Sequence, residues 1–262
     1  MEPASLITTL LGAMRQIALV IGVGMTLATI FTIWTPNAVL PSGVLTQIET
    51  ALRQINTEAT PLGPAPAPSP TPALPKIGLV AGHSGPQSDP GAVCPDGLTE
   101  AAVNLDIARR VKAGLEANGF QVDLLNEFDD RLNGYQALAV LSIHNDSCAF
   151  IDADPPASGF KVAGAINGGA PERSKRLVAC LIDRYPTQTS LRHDAGRVTL
   201  DMTQYHTYSE VDSSTPVAII ETGYLNLDRK LLTEEPHRAA QGVMDGMLCY
   251  VQNEFVSPTA TP

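Results

Sequence analysis

Four side chains able to bind a metal or move a proton stand at the ends of apolar, strand-like runs. Lys76–Ala81 (KIGLVA) leads into Gly82-His83, Ala137–Ile143 (ALAVLSI) into His144-Asn145, and Pro216–Ile220 (PVAII) into Glu221. Glu100 opens the helix-like segment that follows the first run. In an open parallel sheet, ligands gather at the carboxyl ends of the strands. Zinc takes neutral imidazole and carboxylate donors, and a catalytic site uses three protein ligands and keeps a fourth position for water. His83, Glu100 and His144 make such a set, and ligands drawn from different strands are widely separated in sequence, as these are. Glu221 is left for a second task. A carboxylate beside an activated water can accept its proton and later deliver it to a leaving amine. Burial at the end of an apolar strand raises the affinity of a carboxylate for that proton.

The elements that must hold these residues alternate in type. Thr99–Asn118 reads as a helix, with Val103, Ile107, Val111 and Leu115 on one face and Gly119 as its stop. Phe120–Leu125 (FQVDLL), Gly159–Gly164 (GFKVAG) and Pro216–Glu221 (PVAIIE) read as strands. Pro171–Tyr185 reads as a helix with Arg173 and Lys175 on its polar side, and Pro236–Phe255 as the last helix. This alternation predicts an α/β domain over residues 76–255: a mostly parallel mixed sheet flanked by helices on both faces.

What precedes that domain is of another kind. Residues 17–34 (IALVIGVGMTLATIFTIW) carry no charge. As a helix they span about 27 Å, close to the hydrocarbon thickness of a bilayer, and Trp34 suits the interface. No clear small-x-small cleavage site follows, so residues 1–35 are expected to be a single N-terminal transmembrane helix rather than a cleaved signal peptide. Residues 36–75 form a spacer, and its stretch 59–75 holds seven prolines in seventeen positions. Such a segment is a semi-rigid extended spacer with a reach of about 50 Å. Residues 256–262 are expected to be a disordered tail.

The formal net charge is −10, and the 17 lysines and arginines are scattered, which excludes a nucleic-acid partner. None of the four cysteines forms a CxxC pair, so a zinc ribbon has no support. An even count permits disulfides in an exported domain. Cys94 and Cys148 flank the candidate site and can meet there. Cys180 and Cys249 fall in two different helices, as a disulfide or as buried thiols, and the sequence leaves the pairing open.

Four stretches together resemble the zinc-dependent N-acetylmuramoyl-L-alanine amidases of the bacterial cell-wall hydrolase type: IGLVAGHSGPQSDPGAV, GLTEAAVNLDIARRVKAGLEANGFQVDLL, VLSIHND and PVAIIETGYLNLDRKLL. The resemblance covers roughly residues 76–252. It implies that His83, Glu100 and His144 bind Zn2+ and that Glu221 is catalytic. It implies a peptidoglycan substrate, cut at the amide between N-acetylmuramic acid and L-alanine. With the N-terminal helix, it implies a single-pass protein of the cell membrane with its catalytic domain extracytoplasmic. Three departures stand out. Ser84 takes a usual glycine position, the usual threonine, arginine and aspartate segment after the second strand is shortened to Asn126–Arg131, and residues 192–215 are unusual for the family.

Other polar residues have two readings each. Asn145 and Ser84 orient ligands or close turns; His206 touches substrate or sits in a surface loop; Tyr224 and Asn226 shape the cleft or pack a loop. His193 and His237 read as structural or exposed. Two rival functions remain: a non-catalytic wall-binding or regulatory relative, and another zinc peptidase or deacylase. The second of these needs an arginine for a terminal carboxylate, for which Arg131 and Arg197 are the candidates.

Overall fold

Among the described residues five strands form one sheet in the order β2-β1-β3-β5-β4. They are β1 (Lys76–Ala81), β2 (Gln121–Asn126), β3 (Val140–Asp146), β4 (Lys161–Gly164) and β5 (Val217–Tyr224). The computed structural model describes residues 74–166 and 170–257. The expected anchor, nearly all of the spacer and residues 258–262 lie outside those residues. Among the described residues no helix is long and apolar enough to cross a membrane.

Strands β1, β2, β3 and β5 pair in parallel, and β4 joins antiparallel at the edge beside β5. The chain leaves β1 toward β2 on one side and later takes up β3 on the other. The strand order therefore reverses between β1 and β3, and such a reversal opens a crevice at the carboxyl ends of the strands. His83 follows β1 and His144 lies in β3, so the two histidines flank that crevice.

Alternation along the strands sorts their residues onto two faces. Ile77, Leu79, Ala81, Leu141, Ile143, Ala218 and Ile220 pack against three long helices: α1 (Glu100–Ala117), α2 (Pro171–Thr189) and α6 (Pro236–Val251). Val80, Val140, Val217 and Ile219 pack on the opposite face under Leu132, Tyr135, Met202, Tyr208 and Val211. Among the described residues only short helices lie there, including α3 (Leu200–Thr203), α4 (Thr207–Glu210) and the 3-10 turn Asp130–Leu132. Helices flank both faces, then, but very unequally. A further short helix, α5 (Arg229–Thr233), precedes α6.

Two strands run further than their apolar residues indicate. β3 continues through His144 to Asp146, with a register shift between those two residues, and β5 continues through Glu221 to Tyr224. His144 is therefore a strand residue rather than one beyond a strand end, and Glu221 lies within its strand, as expected, rather than at the end of it. In parallel register they stand directly opposite each other.

Helix α2 also outruns its expected end at Tyr185. Pro186 lacks the N–H that would continue the helical ladder, yet the helix runs to Thr189. Tertiary packing accounts for this. Tyr185 is fully buried and its hydroxyl donates to the Thr222 carbonyl at 2.7 Å. Gly242 of α6 lets the backbone of Tyr185 approach, because a Cβ there would lie 2.9 Å from the tyrosine ring and 3.1 Å from its carbonyl oxygen. The last helix ends at Val251 rather than Phe255. Phe255 is 79% exposed and has no apolar face to join.

Candidate active site

The loop after β1 carries the first histidine in a backbone conformation that side-chain-bearing residues rarely take. His83 has φ 56°, and Gly85 has φ 104°. Ser84 does not need a positive φ, so serine fits where a glycine is usual. It closes the turn instead, its hydroxyl donating to the Ala81 carbonyl at 2.6 Å. Glu100 is the first residue of α1, whose N-cap Thr99 accepts from the Ala102 N–H at 3.3 Å.

Donor atoms of His83, Glu100 and His144 lie within 4.8 Å of one another, a group able to hold a metal ion. Glu100 Oε1 is 3.4 Å from His83 Nε2 and 3.2 Å from His144 Nδ1. Two glycines make this closeness possible. A Cβ on Gly82 would fall 2.3 Å from Cε1 and Nε2 of His144, and one on Gly91 would fall 2.5 Å from Glu100 Oε2 and 2.7 Å from the His83 ring.

A buried amide network fixes Glu100. Asn104, one helical turn on, donates to Glu100 Oε1 at 3.2 Å and to the Gly82 carbonyl at 2.9 Å. Asn145 donates to Asn104 Oδ1 at 2.6 Å, accepts from the Thr222 hydroxyl at 2.5 Å, and its N–H reaches Glu100 Oε1 at 3.3 Å. Asn145 thus holds the carboxylate of a candidate ligand rather than closing a turn. The outward nitrogen of His83, Nδ1, lies 2.9 Å from Asp89 Oδ1, the kind of carboxylate partner that fixes a ligating imidazole.

Glu221 sits one strand over from His144. Its Oε2 is buried and has no hydrogen-bond partner among the described residues. Burial pushes its pKa up to about 7, against the pull of His144 and of the Lys161 ammonium. Lys161 is itself buried and paired with Asp146.

Several candidates take their structural reading. His206 stacks on Phe128 and lies 3.1 Å from Glu127 Oε1 and 2.9 Å from Glu210 Oε1, behind the cluster rather than in an open loop. Tyr224 is buried and donates to Asp194, and Asn226 donates to the Cys148 carbonyl, so both pack loops. His237 is exposed. Arg131 and Arg197 are each held by a carboxylate close in sequence, Asp129 at 2.7 Å and Asp194 at 2.9 Å. Asp89, Asn104, Glu127 and Tyr205 contact the three candidate ligands and were not singled out from the sequence.

Two disulfides form: Cys94–Cys148 and Cys180–Cys249. The second joins α2 to α6 in the core. The first ties the segment between His83 and Glu100 to the loop after His144, and so links the carriers of all three candidate ligands. Replacing Cys94 and Cys148 together by serine is expected to lower stability by roughly 2–4 kcal/mol, since the bridge closes a long loop of the unfolded chain. Urea denaturation checks this; an unchanged midpoint contradicts a structural role for the bridge.

Two imidazoles and a carboxylate around one point, with a second carboxyl of raised proton affinity opposite, are the equipment of a metal-assisted hydrolase. The family model of the N-acetylmuramoyl-L-alanine amidases (Amidase_3) matches residues 77–249, and the chain belongs to that family. The N-acetylmuramoyl-L-alanine amidase AmiC of Neisseria meningitidis serogroup B is 29% identical over 201 residues, a match covering 71% of this chain and 46% of that protein. The chain therefore spans about half the length of this relative. Among solved structures, the CwlD amidase of Clostridioides difficile, in complex with the GerS lipoprotein, has a TM-score of 0.54 at 21% identity and covers 69% of this chain and all of its own. The amidase Ami1 of Mycobacterium smegmatis has a TM-score of 0.55 at 17% identity, covering 70% of this chain and 99% of its own. At these identities the likeness is one of fold.

Proposed function

We propose that the domain hydrolyses the amide bond between the lactyl group of N-acetylmuramic acid and L-alanine in peptidoglycan, with one zinc ion held by His83, Glu100 and His144. The observation that carries this reading is the convergence of three donor groups within 4.8 Å, with the half-buried Glu221, one carboxyl oxygen of which is shut off from solvent, opposite His144. The donors fit zinc in kind and number. The two glycines that keep Cβ atoms out of the cluster fit it in space.

Zinc supplies Lewis acidity at that point when bound. The chain's own groups do the rest. Asn104 and Asn145 hold the Glu100 carboxylate, and Asp89 holds His83. Glu221 accepts the proton of the attacking water as its oxygen bonds to the lactyl carbonyl carbon. The same carboxyl then donates that proton to the alanine nitrogen as the carbon–nitrogen bond breaks. A proton affinity near neutrality suits a group that must both take and give.

The commitment of Arg131 and Arg197 to neighbouring carboxylates favours the amidase over a carboxypeptidase, which needs a free cation for the terminal carboxylate. The two disulfides support an oxidising, extracytoplasmic compartment. There the apolar run 17–34 would serve as a membrane anchor and the proline-rich spacer would carry the domain toward the wall.

Mass spectrometry of material released from purified peptidoglycan tests the reading. Free stem peptides with N-terminal alanine are expected, lost on chelation and restored by zinc. Shortened stems still attached to glycan would indicate a peptidase instead, and no release at all a binding relative.

A further inference from the structure

Glu127 and Tyr205 belong to the two segments that depart most from the family pattern, and they meet directly beneath His144. Tyr205 precedes α4 and packs its ring edge-on against His144, with centroids 5.4 Å apart. Its hydroxyl donates to Glu127 Oε1 at 2.6 Å, and a lone pair on its oxygen can accept from His144 Nε2 at 3.1 Å. Glu127 Oε2 lies 3.7 Å from the same nitrogen and accepts the backbone N–H of His83. One carboxylate therefore braces both histidine-bearing segments. A third group, His206 Nε2, approaches it at 3.1 Å.

The geometry bears on which nitrogen of His144 is free. A neutral imidazole has one N–H and one lone pair. The Tyr205–Glu127 pair offers an acceptor at Nε2, while Nδ1 faces Glu100 Oε1 at 3.2 Å. An N–H held at Nε2 leaves the Nδ1 lone pair toward the cluster. Partners of this kind orient a ligating histidine and raise its basicity, and their loss costs about 10–100-fold in metal affinity.

We infer that Tyr205 and Glu127 are positioning residues for the metal site: a tyrosine–glutamate relay that holds the Nε2 proton of His144, fixes its ring, and ties residues 192–215 to the catalytic centre. The inference rests on the zinc reading given above. Tyr205 lies on the same side of the sheet as Ser142 and His144, under the ligand rather than across the crevice.

The test is zinc affinity by chelator competition on the full chain, for wild type, Tyr205→Phe, Glu127→Gln and His144→Ala. Tyr205→Phe keeps the ring and removes only the hydroxyl, so a packing role predicts no change. The relay predicts affinity about 10–100-fold weaker. In the zinc-loaded wild type, NMR should find a slowly exchanging proton on His144 Nε2 that exchanges rapidly in Tyr205→Phe. Wild-type affinity in Tyr205→Phe while His144→Ala has lost zinc overturns the relay and leaves the hydrolase reading intact. A wild-type protein with no zinc affinity overturns both. Should Tyr205→Phe not fold, the wild-type spectrum decides alone, and a rapidly exchanging Nε2 proton there overturns the relay.

Discussion

Replacing Glu221 by glutamine is expected to slow hydrolysis by on the order of 10²–10⁴-fold and, in the metal-free protein, to increase stability above pH 7. The two effects share one cause. The glutamate is half-buried, with one carboxyl oxygen shut off from solvent and unpartnered, and desolvation raises its pKa in the folded chain from 4.5 to about 7. Between those values the folded protein holds a proton that the unfolded chain has lost. Stability therefore falls as pH rises through that window, and the loss is complete above it. At 1.36 kcal/mol per pKa unit, ionising this group costs about 3 kcal/mol of stability. Glutamine keeps the shape and removes the cost. Urea denaturation of chelated protein should show the variant ahead of wild type at pH 8 and level with it near pH 4.5. Equal stability at both pH values, or full activity in the variant, would sink the role assigned to Glu221.

Gly82→Ala is expected to remove metal binding without replacing any of the three candidate ligands. The new methyl would stand 2.3 Å from the His144 ring. The backbone of Gly82 cannot retreat, because its N–H donates to the Ile143 carbonyl at 3.0 Å and its carbonyl accepts from Asn104 at 2.9 Å. The ring must swing instead, and a displacement near 1 Å at such a site costs about 100-fold or more in activity. Overpacking costs a further 1–3 kcal/mol or so of stability. Gly196→Ala serves as the control, since a Cβ there meets nothing within 4 Å. Calorimetric titration with zinc separates the two variants; equal affinities would mean that the ring is not packed against Gly82 as described.

The sheet was legible because its central strands are buried on both faces and read as apolar runs, as Leu79, Val80, Leu141, Ile143, Ile219 and Ile220 do. Helix α1 was legible through its single apolar face. The ends of β3 and β5 were not, because β3 is extended past Ile143 by His144, Asn145 and Asp146, which carry no strand signature, and β5 runs past Glu221 through Thr222 and Gly223 to Tyr224. Pro186 misdirected the reading of α2, since the burial of Tyr185 outweighs a local preference. Asn104 did leave a signal: a polar residue on the buried face of α1, four positions after Glu100. Asp89, Glu127 and Tyr205 left none in periodicity, because single polar residues in loops acquire meaning only from partners brought close by the fold. The change of sequence after β2 draws the eye to Asn126–Arg131, but nothing in it foretells that Glu127 reaches His83, Tyr205 and His206.

The central claim is that one divalent ion binds where β1, α1 and β3 meet. Anomalous diffraction at the zinc edge, from crystals of the zinc-loaded protein, tests it most directly. The account predicts one strong peak about 2.0–2.2 Å from a nitrogen of His83, a nitrogen of His144 and an oxygen of Glu100. A peak elsewhere, or none at those three residues, would contradict it.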